Sequence, residues 1–223
     1  SQEPPPICCA LRWHAHVCAV RRQVGASPVF NPAGFDFPRE MNADDIARVT
    51  ADFAAAAKLA VACGFDAVQV HCGHGYLLAQ FLSPHTNRRR DRYGAGRADD
   101  RVRFPLAVCA AVRAAVGDAV PITVKLNMDD GFAGGIALED CIQLAQRLEA
   151  ARTVDLLIPS GGFVSRNGFF MLRGTVPLLK MALATTSPLK RVALLLFGRS
   201  FVPTIEWERC FFREGAARLR AHM

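Results

Sequence analysis

From Asn42 onward the chain alternates between two hydrophobic rhythms. Ile46, Val49, Phe53, Ala57 and Ala60 recur every three or four residues, the spacing of one helix face. Asn42 is placed to cap that helix, with Asp45 three residues on, and Gly64 to end it. Ala67, Val68 and Val70 then form a short β-prone run, as in a strand buried on both faces. The order repeats: a helix from about Asp99 to Val116, closed by Gly117, precedes the strand ITVKL (122–126). A further helix from about Leu138 to Ala150 precedes VDLLIP (154–159). Three helix-then-strand units predict a parallel sheet with crossover helices. The loops that follow the strands, HCGHGY, NMDDGFAGG and SGGF, carry the polar and glycine residues, which puts a site at the carboxyl edge of that sheet. Residues 163–203 show no firm period, whereas 204–221 read as helical with Thr204 as its cap.

Composition narrows the class. With 223 residues, 51% of them hydrophobic, the chain can bury one sizeable core and fits one domain better than two. No apolar run reaches the roughly 18 to 20 residues of a membrane span, and SQEPPPICCALRW lacks the order of a signal peptide, so a cytoplasmic location and no membrane partner are expected. The eight cysteines are scattered and read as reduced core thiols. Cys8, Cys9, His14, His16 and Cys18 are metal-capable but lack the paired C-x-x-C spacing of a zinc site. Much of the net charge of +7 is arginine, and seven arginines fall between Arg88 and Arg103. Asp91, Asp99 and Asp100 are interleaved and no aromatic ladder accompanies them, so a structural loop is preferred over a nucleic-acid surface. A basic chain also suits an anionic phosphate cofactor.

The chemistry concentrates at the first strand end. His71, His74 and Tyr76 fall within six residues of a chain with six histidines and two tyrosines. Two imidazoles leaving a strand can address one carbonyl oxygen or small anion while a phenol supplies a proton. A competing reading makes His71 and His74 zinc ligands of a barrel hydrolase, with Asp129 or Asp130 as a third. These residues also carry a resemblance: GFDAVQVHCGHGYLLAQFLSPHTNRRRDRYG (64–94), RVRF (101–104), VKLN (124–127) with DDGFAGG, and VDLLIPSGGFVSR (154–166) resemble the old yellow enzyme family of FMN-dependent NADH:flavin oxidoreductases and ene-reductases. The resemblance spans roughly residues 39–215.

The resemblance implies an α/β fold, a (β/α)8 TIM barrel present in part. The central helix-strand units are present, and the first strands and the phosphate-binding last strands are missing. It divides the chain into a divergent segment, 1–38, and a partial barrel domain, 39–223. It implies His71 and His74 as the pair that holds the substrate oxygen, Tyr76 as the proton donor, Lys125 as the cation beside the flavin, and no metal. The cofactor implied is FMN with NADH or NADPH as reductant, and the substrate a small molecule with an activated double bond; a homo-oligomer is allowed. The loop at YGAGRADDRVRF departs from the family pattern. Since a barrel takes about 250 residues, the alternative is an inactive or partner-requiring remnant of such an enzyme.

Overall fold

A computed structural model describes residues 23–31, 36–167, 170–171, 173–174, 176–201 and 204–223. The Cys8 to Cys18 cluster lies outside the described residues. Strand β1 (Val24–Gly25) pairs in parallel with β2 (Arg39–Glu40). Helix α1 (Ala43–Ala62) follows, then β3 (Val68–Cys72), α2 (Leu77–Leu82), α3 (Ala98–Val116), β4 (Ile122–Asp129), α4 (Leu138–Ala151) and β5 (Leu156–Gly161). The chain continues through the short α5 (Val164–Asn167), α6 (Leu178–Ala184), α7 (Pro188–Phe201) and α8 (Arg213–Ala221).

The helix ends follow from their caps. Asn42 Oδ1 accepts the Asp45 N–H at 2.8 Å while Asp45 Oδ2 accepts the Asn42 N–H at 3.0 Å, satisfying two of the first-turn donors of α1. Helix α3 ends at Gly117, whose φ of 76° places it in the left-handed region that favours glycine. Helix α4 starts with the Ala137 N–H donating to Asp140 Oδ2 at 3.2 Å.

The three main strands form one parallel sheet in the order β3-β4-β5. Register sets its two faces. Val70, Val124 and Leu157 pair across the sheet, as do Cys72, Leu126 and Pro159; Val70, Cys72, Val124 and Leu126 are buried with α1, α3 and α4. Alternation sends their neighbours to the opposite face. There Gln69, Thr123 and Leu156 form one row and His71, Lys125 and Ile158 the next. Helices cover the first face, whereas on the second Leu156 is 56% exposed. The core is anchored by Phe81 and Phe104, whose rings meet edge-on at 4.7 Å, each fully buried aromatic stabilising by roughly 1.5–3 kcal/mol.

Several expectations need correction. Residues 163–203 contain helices α5, α6 and α7; VALLLF (192–197) is apolar at every position, so no single face stood out as a period. The helix expected over 204–221 occupies only Arg213–Ala221, and Thr204 caps nothing. Ile205 instead bridges to Gly174, whose N–H donates to the Ile205 carbonyl at 2.6 Å, and Cys210 at φ 55° interrupts helical geometry. Strand β4 extends to Asp129 and β5 to Gly161. The described cysteines are all free, but only Cys72, Cys109 and Cys141 are core thiols; Cys63 and Cys210 are exposed.

The arginine-rich stretch is structural where its contacts are described. Arg89, its side chain 4% exposed, donates to the carbonyls of Ala26 and Met41 at 3.1 and 2.8 Å and pairs with Asp91. Arg101 pairs with Asp140 at 2.8 Å, and Arg103 with Asp100 at 3.0 Å. Among the described residues no helix is long and apolar enough to cross a membrane.

Candidate active site

His71 is the fourth residue of β3 and lies in register with Lys125 of β4. Both belong to the open face of the sheet, near its carboxyl edge. The chain then turns sharply: His74 adopts φ 60° and Gly75 φ 77°, left-handed values that a histidine visits uncommonly and glycine freely. The turn brings the His74 ring to 4.9 Å from His71, edge-on at 75°, and the Tyr76 ring to 5.1 Å from His71. Tyr76, the N-terminal neighbour of α2, is 52% exposed. The structure thus brings together all four residues singled out in the sequence.

A buried polar frame holds this turn. Asn127, 0% exposed, accepts the His74 N–H at 3.1 Å and donates to the Gly162 carbonyl and to Asp130 Oδ1, each at 2.8 Å. Asp130 Oδ2 accepts the Ser83 hydroxyl at 2.6 Å and the Ile136 N–H at 2.9 Å. Asn167 Nδ2 donates to the Asp130 carbonyl at 2.8 Å while its Oδ1 accepts the Phe163 N–H. The loops after β3, β4 and β5 are therefore locked to one another by satisfied hydrogen bonds, the condition under which buried polar groups specify geometry. The fit is close: a Cβ on Gly73 would stand 2.7 Å from Asn127 Oδ1, and one on Gly75 2.5 Å from the Phe163 ring.

Electrostatics keep the imidazoles neutral. Burial lowers the His71 pKa, helped by His74 and Lys125, and burial with Lys125 lowers that of His74. Each neutral ring has one N–H to donate. His74 Nε2 lies 2.7 Å from Ser160 Oγ; when Ser160 donates there, the ring proton of His74 sits on Nδ1. His71 Nδ1 is buried with no hydrogen-bond partner, and Lys125 forms no salt bridge among the described residues. A buried imidazole nitrogen lacking a partner beside a cation lacking a counter-charge suits an electron-rich acceptor bound over this edge.

For the zinc alternative the carboxylates are elsewhere. Asp130 is engaged with Ser83, Asn127 and Ile136, and Asp129 accepts from the Gly131 N–H. No group of three or more His, Cys, Asp or Glu among the described residues is placed to hold a metal. Sequence reasoning missed Ser160 and Asn127. Their signal was position: each lies near the carboxyl end of a strand of the same sheet, and they pair across it.

Comparison with known proteins agrees with this geometry. The model of the NADH:flavin oxidoreductase / NADH oxidase family matches residues 13–159. A 4,4'-dithiodibutanoate disulfide reductase from Rhodococcus erythropolis is 41% identical over 172 residues, covering 77% of this chain and 42% of the relative. An NADH oxidase from Thermoanaerobacter brockii is 39% identical over 144 residues, covering 64% and 22%. The chain thus spans less than half the length of both. Among solved structures, a 2-naphthoyl-CoA reductase complex aligns with TM-score 0.61 at 24% identity, over 90% of this chain and 33% of that one. The old yellow enzyme homologue from Zymomonas mobilis aligns with TM-score 0.57 at 23% identity, over 90% and 61%. The fold is accordingly α/β, its parallel strands covering part of a TIM barrel of the old yellow enzyme type. With the family model matching well over half its residues, the chain belongs to the NADH:flavin oxidoreductase / NADH oxidase family.

Proposed function

We propose that the chain carries the substrate-activating edge of an FMN-dependent oxidoreductase that passes hydride from NADH or NADPH to a small acceptor with an activated double bond. The observation that supports it most is the mutual contact of His71, His74 and Tyr76 beside Lys125 at one sheet edge. FMN, when bound, supplies the two-electron relay between the nicotinamide and the β-carbon of the acceptor.

The side chains of this chain do the rest. His71 and His74, both neutral, donate N–H groups to the carbonyl or nitro oxygen of the acceptor and draw electron density from the double bond. Tyr76 is exposed toward the same space and gives its phenolic proton to the α-carbon. A phenol, a weak acid, suffices once the histidine pair has stabilised the developing enolate. Lys125 is the residue to hold the flavin ring, its ammonium offsetting negative charge there. The Rhodococcus relative is named for a disulfide acceptor, so acceptors in this family are not confined to enones.

A second reading has its own observation. Strands β3 and β5 each have one side unpaired among the described residues, and Leu156, on the face bearing His71, is exposed. This favours a chain that acts only when further strands complete the barrel. Titrating the purified chain with FMN separates the readings. A red-shifted, structured visible spectrum with saturable binding supports the oxidoreductase acting alone. Absence of binding at high FMN overturns it and leaves the partner-requiring reading.

A further inference from the structure

Arg166 of α5 is exposed at the sheet rim and differs from the arginines that brace the fold. Arg89, Arg101, Arg113 and Arg147 each have a carboxylate partner; Arg166 has none among the described residues. Its guanidinium lies 4.5 Å from the Phe132 ring centroid, and its Nη1 is 3.3 Å from His85 Nε2. His85 meets Phe132 edge-on at 5.0 Å and Phe163 at 6.1 Å, and the two phenylalanines are 5.5 Å apart. Two phenyl rings, from the loops after β4 and β5, thus fix a guanidinium and the imidazole from the loop after α2 on the carboxyl rim of the sheet. Phe163 is also the ring against which Gly75 packs, so this cluster shares a wall with the turn that presents His74 and Tyr76.

The charges around it are unbalanced. His85 is held toward its neutral form by burial, then by Arg166 and Arg88, with only the buried Asp130 acting the other way. A guanidinium donating to a neutral imidazole lacks the opposite charge and the two-pronged geometry that a carboxylate offers it. The guanidinium is already oriented by its stacking on Phe132, so little ordering is left for a ligand to offset.

We propose that Arg166 and His85 form an anion-recognition subsite that takes a carboxylate carried by the acceptor substrate, one aromatic ring away from the histidine pair. The planar fork of Arg166 matches two carboxylate oxygens, and His85 gains a proton as the anion offsets Arg166 and Arg88. Identification of the ligand as substrate rests on the oxidoreductase reading; the anion site itself does not.

The test uses the full chain, isotope-labelled, titrated with sodium butanoate against sodium chloride at equal ionic strength, with inorganic phosphate as a second arm. The expected result is a saturable shift of the His85 ring signals toward the protonated form, with His71 and His74 unmoved. Affinity falls at least ~10-fold in Arg166→Gln, the loss of a charged hydrogen-bonded contact, and less in Arg166→Lys, which keeps the charge without the fork and guards against a folding defect. An equal response to chloride, no saturable response, or an unchanged affinity in Arg166→Gln overturns the subsite. Phosphate binding as tightly as butanoate overturns its assignment to a carboxylate. Failure of the wild-type chain to bind FMN, with the His85 response intact, removes the oxidoreductase reading alone.

Discussion

Ser160 Oγ and His74 Nε2 are 2.7 Å apart, a hydrogen bond that ties the end of β5 to the turn after β3 and, when Ser160 donates, holds the His74 ring proton on Nδ1. Replacing Ser160 by Ala leaves His74 free to exchange tautomers. Nitrogen chemical shifts of His74 should move from a single tautomer to a mixture, and affinity for a phenolic ligand of the flavin-loaded protein should fall roughly fivefold, the worth of one hydrogen bond of ~1 kcal/mol. Unchanged shifts would show that Ser160 does not set the tautomer.

Asn127 holds the His74 N–H, the Gly162 carbonyl and the Asp130 carboxylate at once. Asn127→Leu strands all three partners in a site without water access. The expected loss is about 2–4 kcal/mol, read as a lower urea midpoint at unchanged slope. A midpoint shifted by no more than that of an exposed-site control would refute the frame.

Gly75 has no room for a methyl group, since a Cβ would press on the Phe163 ring at 2.5 Å, and its φ of 77° disfavours alanine independently. Gly75→Ala should destabilise the chain, and Phe163→Ala in the same background should recover part of that loss. The coupling between the two is expected to be on the order of 0.5–3 kcal/mol. Strict additivity would mean that the turn relaxes without touching Phe163.

Acid should weaken the fold before the carboxylates titrate. Unfolded imidazoles protonate near pH ~6.5, whereas burial and neighbouring cations hold His71, His74 and His85 neutral to lower pH in the folded chain. Between those values the unfolded chain binds more protons, so stability falls as pH drops below ~6.5. The arginine-paired Asp45 and Asp91, whose pKa values are lowered, contribute fully until pH nears ~3.9 and then lose their contribution. Burial raises the Asp130 pKa and works in the opposite sense as pH falls, so urea midpoints at pH ~7.5 and ~5.5 are compared in the wild type and in a His71→Gln, His74→Gln variant; an equal pH dependence in both would contradict the assignment.

On the proposed chemistry, Tyr76→Phe slows reoxidation by an enone by about 10²-fold or more, the usual worth of a placed general acid, and spares reduction by the nicotinamide. Lys125→Met weakens flavin binding and makes the bound flavin harder to reduce. Stopped-flow measurement of the two half-reactions distinguishes the roles, and equal slowing of both by Tyr76→Phe would remove the proton-donor assignment.

What could be read from the sequence divides along physical lines. The box at Asn42 and Asp45, the stop at Gly117 and the three strands depend on neighbours a few residues away, and local pattern suffices for them. His71, His74 and Tyr76 were visible because they crowd one loop. Ser160 and Asn127 act across more than thirty residues and acquire meaning only when β3, β4 and β5 lie side by side. Helices α6 and α7 were hidden because apolar residues surround them rather than line one face. Cys63 and Cys210 were placed in the core on spacing and apolar surroundings in sequence, which carry no information about which side of a helix end or turn faces water.

Arg89 reaches from the loop after α2 to the carbonyls of Ala26 and Met41, the residues that directly follow β1 and β2. With the Ala26 N–H on Gln80 and the Arg88 N–H on Ser27, this guanidinium moors the leading part of the described chain to the body that carries the site. Cutting that mooring with Arg89→Met should leave α1 and the three-stranded sheet standing while Val24 to Glu40 become accessible to protease, so that limited digestion trims the front of the molecule without unfolding the rest.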